Sequence, residues 1–181
     1  MRADAVTVEI VYETHSLTED NEAGRATGWL PGRLSARGRE LAAELGARRR
    51  PDGLAAVLSS DLRRSVETVE IAFAGTDVPV LFDRRLRETD FGALNGAPTA
   101  AVQTVAWDER FPGGESRAEA VARVDGALDD IVEGWAGQRV LVIGHLSAWW
   151  ALERRGRGAS LPLPAPMAWQ EGWTYEISPR G

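Results

Sequence analysis

Two histidines, His15 and His145, are the only ones in the chain, and each follows a run of apolar, largely β-branched residues, at 6–12 and 140–144. Both therefore fall at the carboxyl ends of expected strands, the edge at which open α/β sheets bind their ligands. Imidazole ionises near neutral pH, so such a pair can act as acid and base, as nucleophile and electrostatic partner, or as metal ligands. Neither has a second histidine three or four residues away, the spacing that puts two ligands on one helical face, so a metal site lacks its usual sequence support. No metal and no cofactor is expected.

Three further stretches could contribute. Residues 59–68 carry a strand end into a helix, and Arg64 in the first turn would stand beside free backbone N–H groups, an arrangement that suits an anion and equally a surface ion pair. Glu88 follows the third expected strand, either solvated or placed to give up a proton. Pro112-Gly113-Gly114-Glu115-Ser116 reads as a tight turn before a capped helix.

These residues need a frame. Residues 6–12 read as a central strand. Residues 16–34, with Asn21, Gly24, Gly28, Pro31 and Gly32, read as a long loop, and loops of such length are commonly functional. Ser35 is an expected N-cap for a helix over 36–49, and Pro51 and Gly53 end it. A strand over 55–59 leads to a helix capped by Asp61 and running to Phe73, with Leu62, Val66, Val69 and Phe73 as its buried stripe. A third strand spans 78–82, and a short helix holding Trp107 is expected within 97–110. Ser116 with Glu119 forms a capping box for a long helix to Trp135. The strand 140–144 precedes a helix over 148–154, a Gly- and Pro-rich surface segment over 156–166, and a last edge strand over 173–177. Strands alternating with helices predict an α/β three-layer sandwich: a mostly parallel sheet covered on both faces. The whole of 1–181 is expected to form one domain.

Composition narrows the function. The net charge of −6 argues against general nucleic-acid binding, and no apolar run approaches the length of a membrane span. All 21 basic residues are arginine, which fits a GC-rich coding bias. The absence of cysteine excludes thiolate nucleophiles and thiolate metal sites. With no signal-peptide pattern at the start, a cytoplasmic protein is expected. Trp149, Trp150, Trp169 and Trp173 either line an apolar pocket or fill and cover the core.

Taken in order, these segments resemble the histidine phosphatase superfamily, with its phosphoglycerate-mutase-like fold. His15, Thr18 and Asn21 match the R-H-G-E-T-x-x-N motif, while Thr14, Ser16 and Leu17 depart from it. Residues 24–29 and 34–38 are similar to the substrate loop and first helix entry. Residues 59–68 are similar to the S-x-L-x-R-x-x-x-T helix, which puts a phosphate-binding arginine at Arg64. Residues 86–92 with Asn95-Gly96 match the acid-bearing region, 112–116 the P-G-G-E-S turn, and 141–145 the second histidine strand.

The resemblance implies a metal-independent phosphomonoester hydrolase acting on a small-molecule phosphate through a phosphohistidine. In it His15 attacks phosphorus, Glu88 protonates the leaving oxygen, and Arg64, protonated His145 and Asn21 hold the phosphoryl oxygens. Thr14, Ser16, Arg25, Thr27, Gly28 and Leu146 would contact substrate, and Arg25 could supply the cation that Thr14 removes. Hydrolysis is expected over mutase chemistry because the chain is short. Two other readings stay open: an enzyme using both histidines and Glu88 for acid–base chemistry on an unphosphorylated substrate, and a non-catalytic phosphate binder. A small phosphorylated metabolite is the expected partner of a monomer or homodimer.

Overall fold

The computed structural model describes residues 6–164 and 172–180. In chain order these form β1 (Val8–Thr14), α1 (Glu19–Glu22), β2 (Arg25–Ala26), α2 (Ala36–Arg49), β3 (Ala56–Ser59), α3 (Arg63–Ala72), β4 (Val80–Phe82), β5 (Ala97–Pro98), α4 (Thr99–Gln103), α5 (Arg117–Gly134), β6 (Arg139–Gly144), α6 (Leu146–Arg157) and β7 (Trp173–Ile177). No helix among the described residues is long and apolar enough to cross a membrane.

The main sheet runs in the order β4-β3-β6-β1-β7. Its first four strands are parallel, and β7 pairs antiparallel with β1 as the edge strand expected over 173–177. Side chains alternate across a strand, and β1 shows it. Val8, Ile10 and Tyr12 join the core formed with α5 and α6, whereas Val11 joins Leu45 of α2 and Val69 and Ala72 of α3 on the other face. The sheet is thus the middle of three layers. The buried run Val140, Leu141, Val142 and Ile143 supplies both cores from one strand, each side chain stabilising the fold by about 1.5–3 kcal/mol through burial.

Register decides where the chemistry lies. Thr14 pairs with Gly144 and Ser59 with Ile143, so β1, β6 and β3 end level and release His15, His145 and Ser60 at one edge.

Several local expectations need correction. Asp61 does not cap α3: the N-cap is Leu62, without a side-chain bond, and Asp61 instead pairs with Arg87. The segment 16–34 is not a plain loop, because Thr18 and Asn21 close a capping box on the short α1, and β2 pairs with β5. Trp107 lies beyond α4, not in a helix, and packs edge-on against Trp150 at 4.8 Å. The last helix is longer than 148–154, and Gly156 belongs to it. Trp149 and Trp173 pack in and against the core, while Trp169 lies outside the described residues.

Candidate active site

His15 follows β1 and is tied to its neighbour strand by a backbone bond from its N–H to the Gly144 carbonyl at 3.0 Å. The turn behind it is fixed from α2 and α3. The Ser16 hydroxyl donates to the Gly38 carbonyl, and the Ser16 N–H donates to the Thr68 hydroxyl at 2.9 Å. Gly38 is needed for this approach, since a Cβ there would stand 1.9 Å from the Leu17 carbonyl oxygen. Ser16 is completely buried; its expected place at the substrate is instead one behind the histidine loop.

The hydrogen bonds fix the ring states. The Nδ1 of His15 lies 2.7 Å from the Ser16 carbonyl oxygen, which can only accept, so Nδ1 carries the proton and Nε2 is an acceptor. The Nε–H of Arg64 donates to that Nε2 at 3.3 Å. Burial, then the Arg64 charge, push His15 down to about 3 despite the favourable Ser16 carbonyl, so the ring is neutral.

His145 faces His15 with ring centroids 5.0 Å apart. Its Nδ1 receives an Arg64 Nη2 donor at 3.3 Å, which leaves Nε2–H to donate to the Ser60 hydroxyl at 2.6 Å. Burial first, then Arg64, His15 and Arg123, hold His145 well below the ordinary imidazole range. The expected protonated His145 is therefore not what the substrate-free protein contains. Its main-chain carbonyl accepts from the buried Tyr12 hydroxyl at 2.7 Å, a bond that anchors the strand end.

Arg64 is the hub. Besides both histidines it donates to the carbonyls of Gly28 at 2.9 Å and Leu30 at 3.2 Å, which ties the loop after β2 to the site. Burial lowers it to about 10, against the pull of Glu88 and Asp20, and it stays cationic at neutral pH. Thr27, expected at the substrate, gives its hydroxyl to Asp20 at 2.9 Å. Gly28 has φ +55°, and a Cβ there would overlap Asn95.

Glu88 sits at the N-terminus of α6. Its Oε1 accepts from Thr89 N–H at 2.8 Å and Ser147 N–H at 3.3 Å, and its Oε2 from Leu146 N–H at 3.2 Å. Such a helix end favours a negative group. The Glu88 carbonyl accepts from the Trp29 indole at 2.7 Å, and the Arg87 guanidinium lies 4.8 Å over that indole.

A cavity of about 520 Å3 opens on this edge, lined by His15, Arg64 and Glu88 together with Asn21, Arg25, Thr27, Gly28 and Leu146. Thr14, Ser16 and His145 are not in its lining; His145 lies behind it, against Arg64 and His15. The Asn21 carbonyl oxygen is used in its capping box, so its amide N–H2 is the part that can serve a ligand. Arg25 is exposed and bonded to the Gly96 carbonyl at 3.0 Å. Sequence reasoning missed Ser60, Thr89, Trp107 and Arg117 in the site. Ser60 could have been found from its place at the end of β3, beside the strand ends that carry the histidines. Among the described residues no cluster of three or more His, Cys, Asp or Glu could hold a metal ion.

The model of the histidine phosphatase superfamily (branch 1) matches residues 14–177. A probable phosphoglycerate mutase, GpmB of Salmonella paratyphi B, is 32% identical over 149 residues, which span 76% of this chain and 69% of that one. Among solved structures, Bacillus stearothermophilus YhfR superposes with a TM-score of 0.79 at 26% identity, covering 90% of this chain and 87% of that chain. A mycobacterial glucosyl-3-phosphoglycerate phosphatase in complex with VO3 superposes with a TM-score of 0.71 at 26% identity, covering 83% and 81%.

Proposed function

The chain belongs to the histidine phosphatase superfamily, and from that membership we propose that it is a metal-independent phosphomonoester hydrolase working through a phosphohistidine on His15. The observation that carries the reading is the neutral His15, its Nδ1–H fixed on a carbonyl and its Nε2 turned to the one guanidinium that also touches His145, in a cavity that also holds the Glu88 carboxyl.

In the first step the Nε2 lone pair forms the N–P bond while the ester P–O bond breaks, and Glu88, which takes up a proton from solvent as the phosphate dianion arrives beside it, gives that proton to the leaving oxygen. Water then attacks phosphorus, Glu88 takes its proton, the P–N bond breaks and inorganic phosphate leaves. The arriving dianion draws Arg64 away from the imidazole nitrogens and on to its own oxygens, where a charged donor is worth most. It also raises the proton affinity of His145, so the imidazolium that the free protein lacks forms when the substrate needs it. The Asn21 amide is the remaining side-chain donor toward the phosphoryl group.

Hydrolysis is favoured over mutase chemistry because Arg64 with the two histidines makes one phosphoryl subsite, and the outer wall of the cavity is largely apolar, with Phe91, Val102, Val105, Trp107 and Trp150. Rapid acid-free quench with a radiolabelled aryl phosphate tests the reading. The expected result is an acid-labile label on His15 and stoichiometric release of phosphate. Turnover without label, or label on His145, refutes the His15 assignment; label passed to the free hydroxyl of a second substrate, a phosphorylated diol, in place of phosphate release indicates a mutase; no label and no turnover indicates a binding protein.

A further inference from the structure

Most arginines of the described structure pair with carboxylates at the surface. Of those without such a partner, Arg25, Arg64 and Arg117 line the same cavity. Arg64 serves the phosphoryl group and Arg25 is an exposed rim residue. Arg117, the first residue of α5, is the unexplained one.

Its guanidinium is half-buried, donates to the carbonyls of Val105 at 2.9 Å and Val102 at 2.6 Å, and lies 5.0 Å over the Phe111 ring. Those contacts use one hydrogen on each terminal nitrogen. Nε–H and the second terminal hydrogens have no acceptor among the described residues. Arg117 forms no ion pair among the described residues, and a partly buried cation with unused donors gains from an anion that joins it; burial lowers its pKa against the pull of Glu88. A second observation points the same way: Thr89, next to Glu88 and also in the lining, is 1% exposed, and its hydroxyl has no hydrogen-bond partner. The rest of the lining on this side is largely apolar and includes the Trp107–Trp150 pair.

We propose that the substrate is a phosphomonoester whose apolar or aromatic body carries a carboxylate at its far end, seated on Arg117, with Thr89 as a hydrogen-bonding group along the way. A carboxylate is preferred over a second phosphate because one cation with a few remaining donors matches a single negative charge. The inference rests on the phosphatase reading of His15.

The test compares para-carboxymethylphenyl phosphate with para-ethylphenyl phosphate, whose phenols are near-equal leaving groups. Wild type should prefer the carboxylate by about tenfold or more in kcat/KM, mostly through KM, as one charged contact predicts. Arg117→Gln, which retains donors for the Val102 and Val105 carbonyls, should bring the ratio near unity, and Arg117→Lys should restore part of it. Product inhibition gives a reading without any variant: para-hydroxyphenylacetate should inhibit wild type more strongly than para-ethylphenol. Turnover of both esters at equal kcat/KM, equal inhibition by both phenols, a ratio unchanged in Arg117→Gln, or a ratio lost in Arg25→Gln but retained in Arg117→Gln overturns the proposal and leaves the phosphatase reading intact. Turnover of neither ester by folded wild type, with no label on His15, overturns the phosphatase reading itself and the proposal with it.

Discussion

In Glu88→Gln the side chain keeps its size and loses the carboxyl oxygen that can take up a proton and pass it on. The amide oxygen can take the place of Oε1, which accepts from Thr89 and Ser147, but the amide N–H2 then faces the Leu146 N–H where Oε2 now accepts at 3.2 Å. One hydrogen bond is lost, a donor meets a donor, and the charge at the start of α6 disappears. Together these cost about 1–3 kcal/mol of stability, or a few degrees of Tm for a chain of this length. The catalytic loss depends on the leaving group. For an alkyl phosphate the departing oxygen needs the proton, and removal of a general acid typically costs 10²–10⁴-fold, about 2.7–5.4 kcal/mol of barrier. For para-nitrophenyl phosphate the phenolate leaves unaided, and the loss should stay within about tenfold. Steady-state phosphate release on both esters, beside a thermal melt of the same sample, measures each part. A drop of the same size on both esters would refute Glu88 as the acid and assign it to scaffolding of α6.

Two further outcomes follow from the same geometry. The folded protein holds His15 at about 3 against its ordinary 6.5, so as pH falls the unfolded chain takes up the proton first; stability is full above about 6.5 and is lost toward 3, at about 1.4 kcal/mol per pH unit for this one group. His145 acts in the same sense. Urea midpoints at neutral and mildly acid pH should therefore separate strongly in wild type and less in His15→Gln, and equal separations would refute the burial argument. Gly38→Ala drives a Cβ into the Leu17 carbonyl at 1.9 Å. Because both partners are backbone, the cost should be on the order of 3 kcal/mol, with a disproportionate loss of turnover as the His15 loop moves; unfolding within about 0.5 kcal/mol of wild type would show that the loop yields freely.

The parallel sheet was legible because buried strands need β-branched residues on both faces, as in 140–144, and the strand ends then placed both histidines. Ser35 and the Ser116–Glu119 box were legible because a cap is a short-range hydrogen bond. Asp61 was misread because a distant arginine, Arg87, competes for its carboxylate and wins. Arg117 was invisible because a first-turn arginine in sequence looks the same whether it faces water or a cavity; only the fold brings Val102, Val105 and Phe111 around it. The state of His145 depends on a guanidinium from another helix and on two serine hydroxyls, none of which its neighbours in sequence disclose.

Arg64 holds an N–H against Nε2 of His15 and another against His145. That nitrogen is capped, and the cap is a positive charge. Neutral electrophiles that alkylate or acylate ordinary histidines meet a nitrogen whose electron pair is already engaged, and they bring nothing to pull the guanidinium off. On the proposed phosphatase reading, a phosphate ester brings two negative charges and removes the cap by binding to it. The same residue thus sorts reagents by charge before any bond is made: diethyl pyrocarbonate should modify His15 of the folded protein slowly, and faster in Arg64→Ala.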